Sequence, residues 1–331
     1  MVDIFGTLGP SCEDLQILSD MFRAGMTGIR INLSHVMLKD CIESISRIKK
    51  AAEKNNIAPI ILIDMQGPEL RIGKFENSYN LKNGNTVYFG EGGIPLDKEI
   101  VAQINVGDEI LIDDGKILAR VSQTDGKKIL MQIERGGVLT QRKSIKIVGR
   151  DITMPALTDD DKENIGLAKE VGITGIMQPF ARSRDDLEQV RKALSENECE
   201  NIRIYAKIEN KAGIDNLESF IDLCDEVIIA RGDLGNCMPL WELPHIQKTI
   251  SRICNEHNKP FMVVTQMLSS MEKSAIPTRA EVSDIYNAVL DGASSVMVTG
   301  ETAIGAYPGD VIKYLFNTAR EAGKHPEDAR F

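Results

Sequence analysis

Short apolar runs alternate along the chain with stretches whose apolar residues fall three and four positions apart. The first pattern marks buried strands, the second helices with one buried face. Runs at 2–8, 27–33, 59–65, 174–180, 202–208, 225–231, 260–265 and 294–299 read as strands. Stretches at 13–24, 37–54, 160–170, 184–196, 212–222, 241–256, 279–291 and 308–321 read as helices. Ser183 with Asp185, and Pro308 with Gly309, supply helix-start signals. Strand–helix alternation of this kind needs parallel strands joined by crossover helices. Eight such units predict an α/β fold, a closed (β/α)8 TIM barrel rather than an open sheet.

One interval breaks the rhythm. Between the third strand and its helix, residues 72–152 carry short alternating runs cut by NG, DDG, TDG and RGG. That texture predicts antiparallel strands with tight turns. The expected domains are therefore a barrel formed by 1–71 and 153–331, and an all-β domain at 72–152 inserted after strand 3. Two connections make a hinge, so the insertion is expected to serve as a lid.

Chemistry in such barrels gathers at the C-terminal ends of the strands, and the polar residues of this chain gather there too. Strand two runs into Arg30, Asn32, Ser34 and His35; strand three ends in Asp64, followed by Gln66, Gly67, Pro68, Glu69 and Arg71. In strand five, Ile202, Ile204, Ala206 and Ile208 share one face, and Tyr205, Lys207 and Glu209 the other. Strand six ends in Arg231-Gly232-Asp233, strand seven in Thr265-Gln266, strand eight in Thr299-Gly300-Glu301. Charges at such depth need a partner or a metal. Glu209 and Asp233 on neighbouring strands suit Mg²⁺, which takes one or two carboxylates and fills its octahedron with water and phosphate oxygens. Arg30 and Lys207 suit a phosphoryl group. A rim of structural ion pairs is the competing reading. Asn32, Ser34 and Asp64 could hold a monovalent cation or simply hydrogen-bond along the rim. Arg231-Gly232-Asp233 also spells an adhesion tripeptide, but here it ends an apolar run.

Composition narrows the classes. The 331 residues are 42% hydrophobic and 27% charged with a net charge of −10, which disfavours nucleic acid and anionic membranes as partners. No apolar run nears the ~18 residues of a membrane span, and the N-terminus has no signal-peptide pattern, so a cytoplasmic protein is expected. Six scattered cysteines with no CxxC pair fit reduced, mostly core thiols. Neither GxxxxGK[ST] nor GxGxxG occurs.

Several segments, in order, resemble the signatures of pyruvate kinases: TLGPS (7–11), GIRINLSH (28–35), DMQGPELR (64–71), IDDGKI (112–117), MPALTDDDK (154–162), AKIEN (206–210), ARGDLG (230–235), TQML (265–268), PTRAEVSDIYNAVLDG (277–292) and TGETAIGAYP (299–308). The resemblance implies a (β/α)8 barrel with a β-barrel lid after strand three. It implies transfer of the phosphoryl group of phosphoenolpyruvate to a nucleoside diphosphate (ADP), giving pyruvate and ATP, with Mg²⁺ (or Mn²⁺) and K⁺. By position, Glu209 and Asp233 match the Mg²⁺ ligands. Asn32, Ser34, Asp64 and the Met65 carbonyl match the K⁺ site, and Glu69 the acidic residue of K⁺-dependent members. Lys207 and Arg30 match the groups that stabilise the transferring phosphoryl. Gly232, Asp233, Thr265 and Arg71 match substrate contacts, and Thr265 and Thr299 lie near the path that protonates the enolate. Pro10, Arg30, Asn32, His35, Arg142 and Lys143 match nucleotide-side positions, and Asp114 a lid contact.

Departures accompany the likeness. A family lysine is Gln66, and Val36, Asp40, Pro179, Cys237 and Ile304 also replace customary residues; those at Asp40 and Ile304 weaken the expectation of ordinary ADP binding. The family's C-terminal regulatory domain is expected to be absent, and a homodimer through the barrel remains open. A diverged enzyme acting on another phosphorylated or enolisable acid, or a non-catalytic relative, are the alternatives.

Overall fold

The computed structural model describes residues 2–328 apart from 35, 114, 150, 151 and 153. His35 and Asp114 therefore lie outside the described residues. Contact density divides the chain into two compact units, 1–67 with 156–331, and 68–155.

The first unit is a closed barrel of eight parallel strands: β1 (Asp3–Thr7), β2 (Gly28–Asn32), β3 (Ile60–Asp64), β4 (Gly175–Gln178), β5 (Arg203–Ile208), β6 (Glu226–Ala230), β7 (Phe261–Val264) and β8 (Ser295–Met297). Spatial order follows chain order, and β1 closes onto β8 with Asp3 opposite Ser295. The outer helices are α1 (Leu15–Arg23), α2 (Ile42–Glu53), α3 (Asp159–Val171), α4 (Arg184–Glu196), α5 (Lys211–Phe220), α6 (Leu243–Glu256), α7 (Arg279–Leu290) and α8 (Pro308–Ala322). Each predicted strand and helix is present within a few residues at its ends. Ser183 caps α4 by accepting the Asp186 N–H, and Pro308 opens α8. One boundary differs in kind. Arg231-Gly232-Asp233 does not end β6; it forms the first turn of a short helix, Arg231–Cys237.

Alternation in β5 sets the layers. Ile204, Ala206 and Ile208 pack outward against the helices. Tyr205 points into the barrel with Phe5, Leu62, Met177, Ile228, Met262 and Met297. Gly175 on β4 makes room for that ring, since a Cβ there would meet Tyr205 Cε2 at 2.6 Å. Lys207 and Glu209 continue the inward face to the C-terminal mouth. Of the six cysteines, which are all free, five are buried and Cys237 is exposed.

The second unit holds a five-stranded antiparallel sheet in the order Ile145–Ile147, Glu109–Ile112, Ile117–Thr124, Lys128–Arg135, Thr86–Gly90. Tyr79–Leu81 pairs separately with Gly137–Leu139. Its core, including Phe89, Ile110, Ile129 and Met131, is drawn wholly from its own residues. Among the described residues, no helix is long and apolar enough to cross a membrane.

Separate cores make a prediction. Both barrel clusters consist of residues from 1–67 and 156–331. One carboxylate, Asp161, accepts the N–H groups of both Gly67 and Thr158 at 2.9 Å, so the two ends of the barrel chain lie close together. Replacing 68–155 with a short Gly/Ser linker is expected to leave a barrel that melts cooperatively by circular dichroism. A non-cooperative melt would show that the barrel depends on the insertion.

Candidate active site

The mouth of the barrel holds a buried ion network. Arg30 on β2 donates through Nε and Nη2 to Asp64 Oδ2 at 2.8 and 2.6 Å. Lys207 Nζ donates to both Asp64 oxygens at 3.2 and 3.3 Å and lies 3.0 Å from Glu209 Oε1. Glu209 Oε2 accepts the Phe180 N–H at 2.8 Å. Phe180 donates from a left-handed backbone, φ +48°, a conformation that non-glycine residues adopt only when their surroundings impose it.

The electrostatics follow from burial and partners. Burial alone would raise Asp64, but Lys207 and Arg30 outweigh it and hold the carboxyl below its usual range. Burial works against the charge on Lys207, yet Asp64 and Glu209 more than offset it and hold the ammonium above its usual range. Glu209 is driven toward its neutral form: burial pushes it up to about 7, with Asp233 and Asp64 adding to the rise and Lys207 opposing it. At Glu209, burial and the neighbouring Asp233 and Asp64 carboxylates thus outweigh the Lys207 ammonium.

That imbalance fits a hard divalent cation. Among the described residues no three acidic, histidine or cysteine side chains converge on one point. A cation held by Glu209 and Asp233 would therefore draw its other ligands from substrate and water, the Mg²⁺ preference. On the β2–β3 side, Asn32 stands opposite Asp64 in register, and its Oδ1 accepts the Ser34 N–H at 3.1 Å. The oxygen's second lone pair could accept a monovalent ion.

Beside the network, the start of the Arg231–Cys237 helix meets the end of β7. A Cβ on Gly232 would lie 3.1 Å from Thr265 Cγ2, so these two substrate-contact candidates are neighbours. Thr265 and Gln266 have φ of +80° and +55°. A β-branched residue there is a true outlier. Arg231 sustains it: Nε and Nη2 donate to the Thr265 carbonyl at 3.1 and 2.6 Å, while Nη1 reaches both Asp284 oxygens on α7 at 2.9 and 2.7 Å. Thr299 is held by Glu301, whose Oε2 accepts its N–H at 2.7 Å and its hydroxyl at 3.3 Å. Pro10 is exposed on the β1 loop, where the Ser11 N–H bonds the Ala303 carbonyl.

The remaining candidates belong to the second unit. Arg71 pairs with Glu69 at 2.6 Å and donates to the Arg142 carbonyl at 2.8 Å; Lys143 pairs with Asp113 at 2.8 Å.

Sequence reasoning assigned no role to Arg231, Asp284, Glu301 or Asp161. Asp161 had a legible signal, a T-x-x-D capping box ahead of a helix; Arg231 meets its partners only across long separations, 34 residues to Thr265 and 53 to Asp284, and Glu301, besides bonding Thr299 two residues away, reaches Leu268 across 33.

Comparison with known proteins agrees with this geometry. Residues 1–312 match the family described as "Pyruvate kinase, barrel domain". The pyruvate kinase of Clostridium acetobutylicum is 35% identical over 326 residues, covering 96% of this chain and 69% of that protein. That of Geobacillus stearothermophilus is 35% identical, covering 95% of this chain and 55% of its own length. That of Aeropyrum pernix is 35% identical, covering 98% of this chain and 71% of its own. With the barrel, the mouth network and these likenesses together, the chain belongs to the pyruvate kinase family.

Proposed function

We propose that this chain is a phosphotransferase that moves the phosphoryl group of phosphoenolpyruvate to ADP, forming pyruvate and ATP in the cytoplasm, as a homodimer through the barrel. The observation that carries the reading is the Lys207 ammonium, buried at the barrel mouth between Asp64 and Glu209. Phosphoryl transfer asks a protein mainly for positioning and for charge to meet the charge that moves. Lys207 and Arg30 supply fixed positive charge on one side of the site. Glu209 and Asp233 would hold Mg²⁺ (or Mn²⁺), and Asn32, Ser34, Asp64 and the Met65 carbonyl K⁺. When bound, these ions neutralise phosphate oxygens and act as Lewis acids. The Gly232 and Asp233 amides and the Thr265 hydroxyl would hold the substrate carboxylate, and Thr265 and Thr299 would lie near the path by which the enolate is protonated.

A specific observation favours a second reading on the nucleotide side. Ile304 is 66% exposed where the family has a lysine. An apolar surface there disfavours a polyphosphate and suits a different phosphoryl acceptor. The test is pyruvate release from phosphoenolpyruvate with Mg²⁺ and K⁺, with each nucleoside diphosphate in turn and with none. The proposal expects release that requires both Mg²⁺ and a nucleoside diphosphate. Mg²⁺-dependent release with none of them, the phosphoryl group passing to water as inorganic phosphate, would favour the second reading, and no release with any of the diphosphates would overturn the first.

A further inference from the structure

The chain leaving β3 is fastened by a residue on a different element. Asp161, in the first turn of α3, is fully buried. Its Oδ1 accepts the Gln66 N–H at 2.9 Å, and its Oδ2 accepts the N–H groups of Gly67 and Thr158, each at 2.9 Å. Its own N–H returns to Thr158 Oγ1 at 3.0 Å, completing the capping box of α3. A capping box needs only the Thr158 bonds. The two bonds to residues 66 and 67 are additional, and they span more than 90 residues of sequence, 95 and 94.

Their consequence is geometric. Among the described residues no peptide bond is cis. In a trans peptide the carbonyl oxygen and the following N–H point in opposite directions in one plane. Directing the Gln66 N–H at Asp161 therefore turns the Met65 carbonyl away from α3. The plane has little freedom on either side. Met65 N–H is bonded to the Met177 carbonyl at 3.2 Å, and Leu33 N–H to the Asp64 carbonyl at 3.0 Å. Gly67 sits at φ +57°, where a Cβ would strike Pro179 Cγ at 2.4 Å.

We infer that Asp161 is a positioning residue that aims the Met65 carbonyl, and with it the end of β3, at a monovalent cation shared with Asn32 and Asp64. This rests on the reading of that cation site given under Proposed function and adds to it the residue that orients it. Asp161 touches neither substrate nor ion; it acts through the Met65–Gln66 peptide.

The test uses the whole protein and two readouts over a KCl titration, with tetramethylammonium chloride keeping ionic strength constant. One is the rise in Tm, which needs no turnover and follows from binding to the folded state alone. The other is half-activation of pyruvate release. In Asp161→Asn an amide replaces one acceptor, so either the N–H of Gln66 or those of Gly67 and Thr158 face another donor. The K⁺ midpoint is expected to rise by about tenfold or more in both readouts, the range found for residues that orient metal ligands. Activity at saturating K⁺ is expected to recover most of the wild-type value. Thr158→Val removes the cap hydroxyl but keeps both bonds to the β3 loop, so it should lower Tm without moving the K⁺ midpoint. Should the Asn variant not fold, Asp161→Glu keeps the charge and displaces the carboxylate by a methylene, with the same expected shift. An unshifted midpoint in the Asp161 variants of a K⁺-responsive enzyme, or an equal shift in Thr158→Val, would overturn the inference alone. A wild-type protein indifferent to K⁺ in both readouts would overturn the cation reading and the inference with it.

Discussion

Glu209→Gln is expected to lower Mg²⁺-dependent pyruvate formation by about 10²–10³-fold or more, the scale on which loss of one preorganised electrostatic group acts, while the protein stays folded. The substitution keeps side-chain volume and an oxygen able to accept the Phe180 N–H, now bonded at 2.8 Å. Lys207 keeps its contacts with Asp64. What disappears is one of two carboxylates assigned to the divalent cation. Activity within about threefold of wild type, under ~1 kcal/mol of barrier, would remove Glu209 from that role.

The same variant has a signature in the metal-free protein. The Glu209 carboxyl rises from an ordinary 4.5 to about 7 on folding. Between those values the folded protein holds a proton that the unfolded chain has released. Stability contributed by this group is therefore lost as pH rises through that window. With chelator present, the wild-type Tm is expected to fall between pH 4.5 and 7 more than that of Glu209→Gln. Parallel pH profiles would mean that Glu209 is not protonated on folding.

Arg231→Met is expected to slow pyruvate formation by roughly 10²-fold, the cost of misplacing a reacting group by about an ångström. The left-handed φ at Thr265 and Gln266 stores roughly 1–3 kcal/mol per residue and persists only where neighbours over-determine it. Arg231 is that neighbour, with two donors on the Thr265 carbonyl and the third nitrogen on Asp284. A lysine cannot reproduce the fork, so Arg231→Lys should lose nearly as much. Because the effect runs through Thr265, adding Arg231→Met to Thr265→Ala should cost little more than Thr265→Ala alone. Full additivity of the two losses would show that Arg231 acts elsewhere.

The barrel was legible because its signal is periodic and repeated. Eight apolar runs with eight amphipathic partners admit few other arrangements, and alternation in β5 alone put Tyr205, Lys207 and Glu209 on one shared face, which the fold turns inward. The Arg231–Cys237 helix was not legible. Two glycines within seven residues argue against a helix, and contacts of Arg231 with β7 and α7 stabilise it instead. Residue types at the mouth were readable, but their partnerships were not. The local pattern paired Arg30 and Lys207 with a phosphoryl group and Asp64 with a cation. The folded chain draws all three into one network, with Lys207 and Asp64 separated by 143 residues. Asp161 shows a further limit: it binds backbone N–H groups, and these carry no residue identity to read.

The seam between β1 and β8 has a consequence for how the chain is made. Asp3 waits for Ser295. At a synthesis rate of roughly 5–20 residues per second, the first strand is out of the ribosome for tens of seconds before its last neighbour arrives. Throughout that time one edge of the growing parallel sheet offers unpaired N–H and carbonyl groups to any other strand. The hairpin of Ile117–Thr124 and Lys128–Arg135 closes across three residues and needs no such delay. The inserted unit can thus be finished while the barrel is still an open sheet, and the interval before residue 295 emerges is when the barrel's open edge is exposed to mispairing.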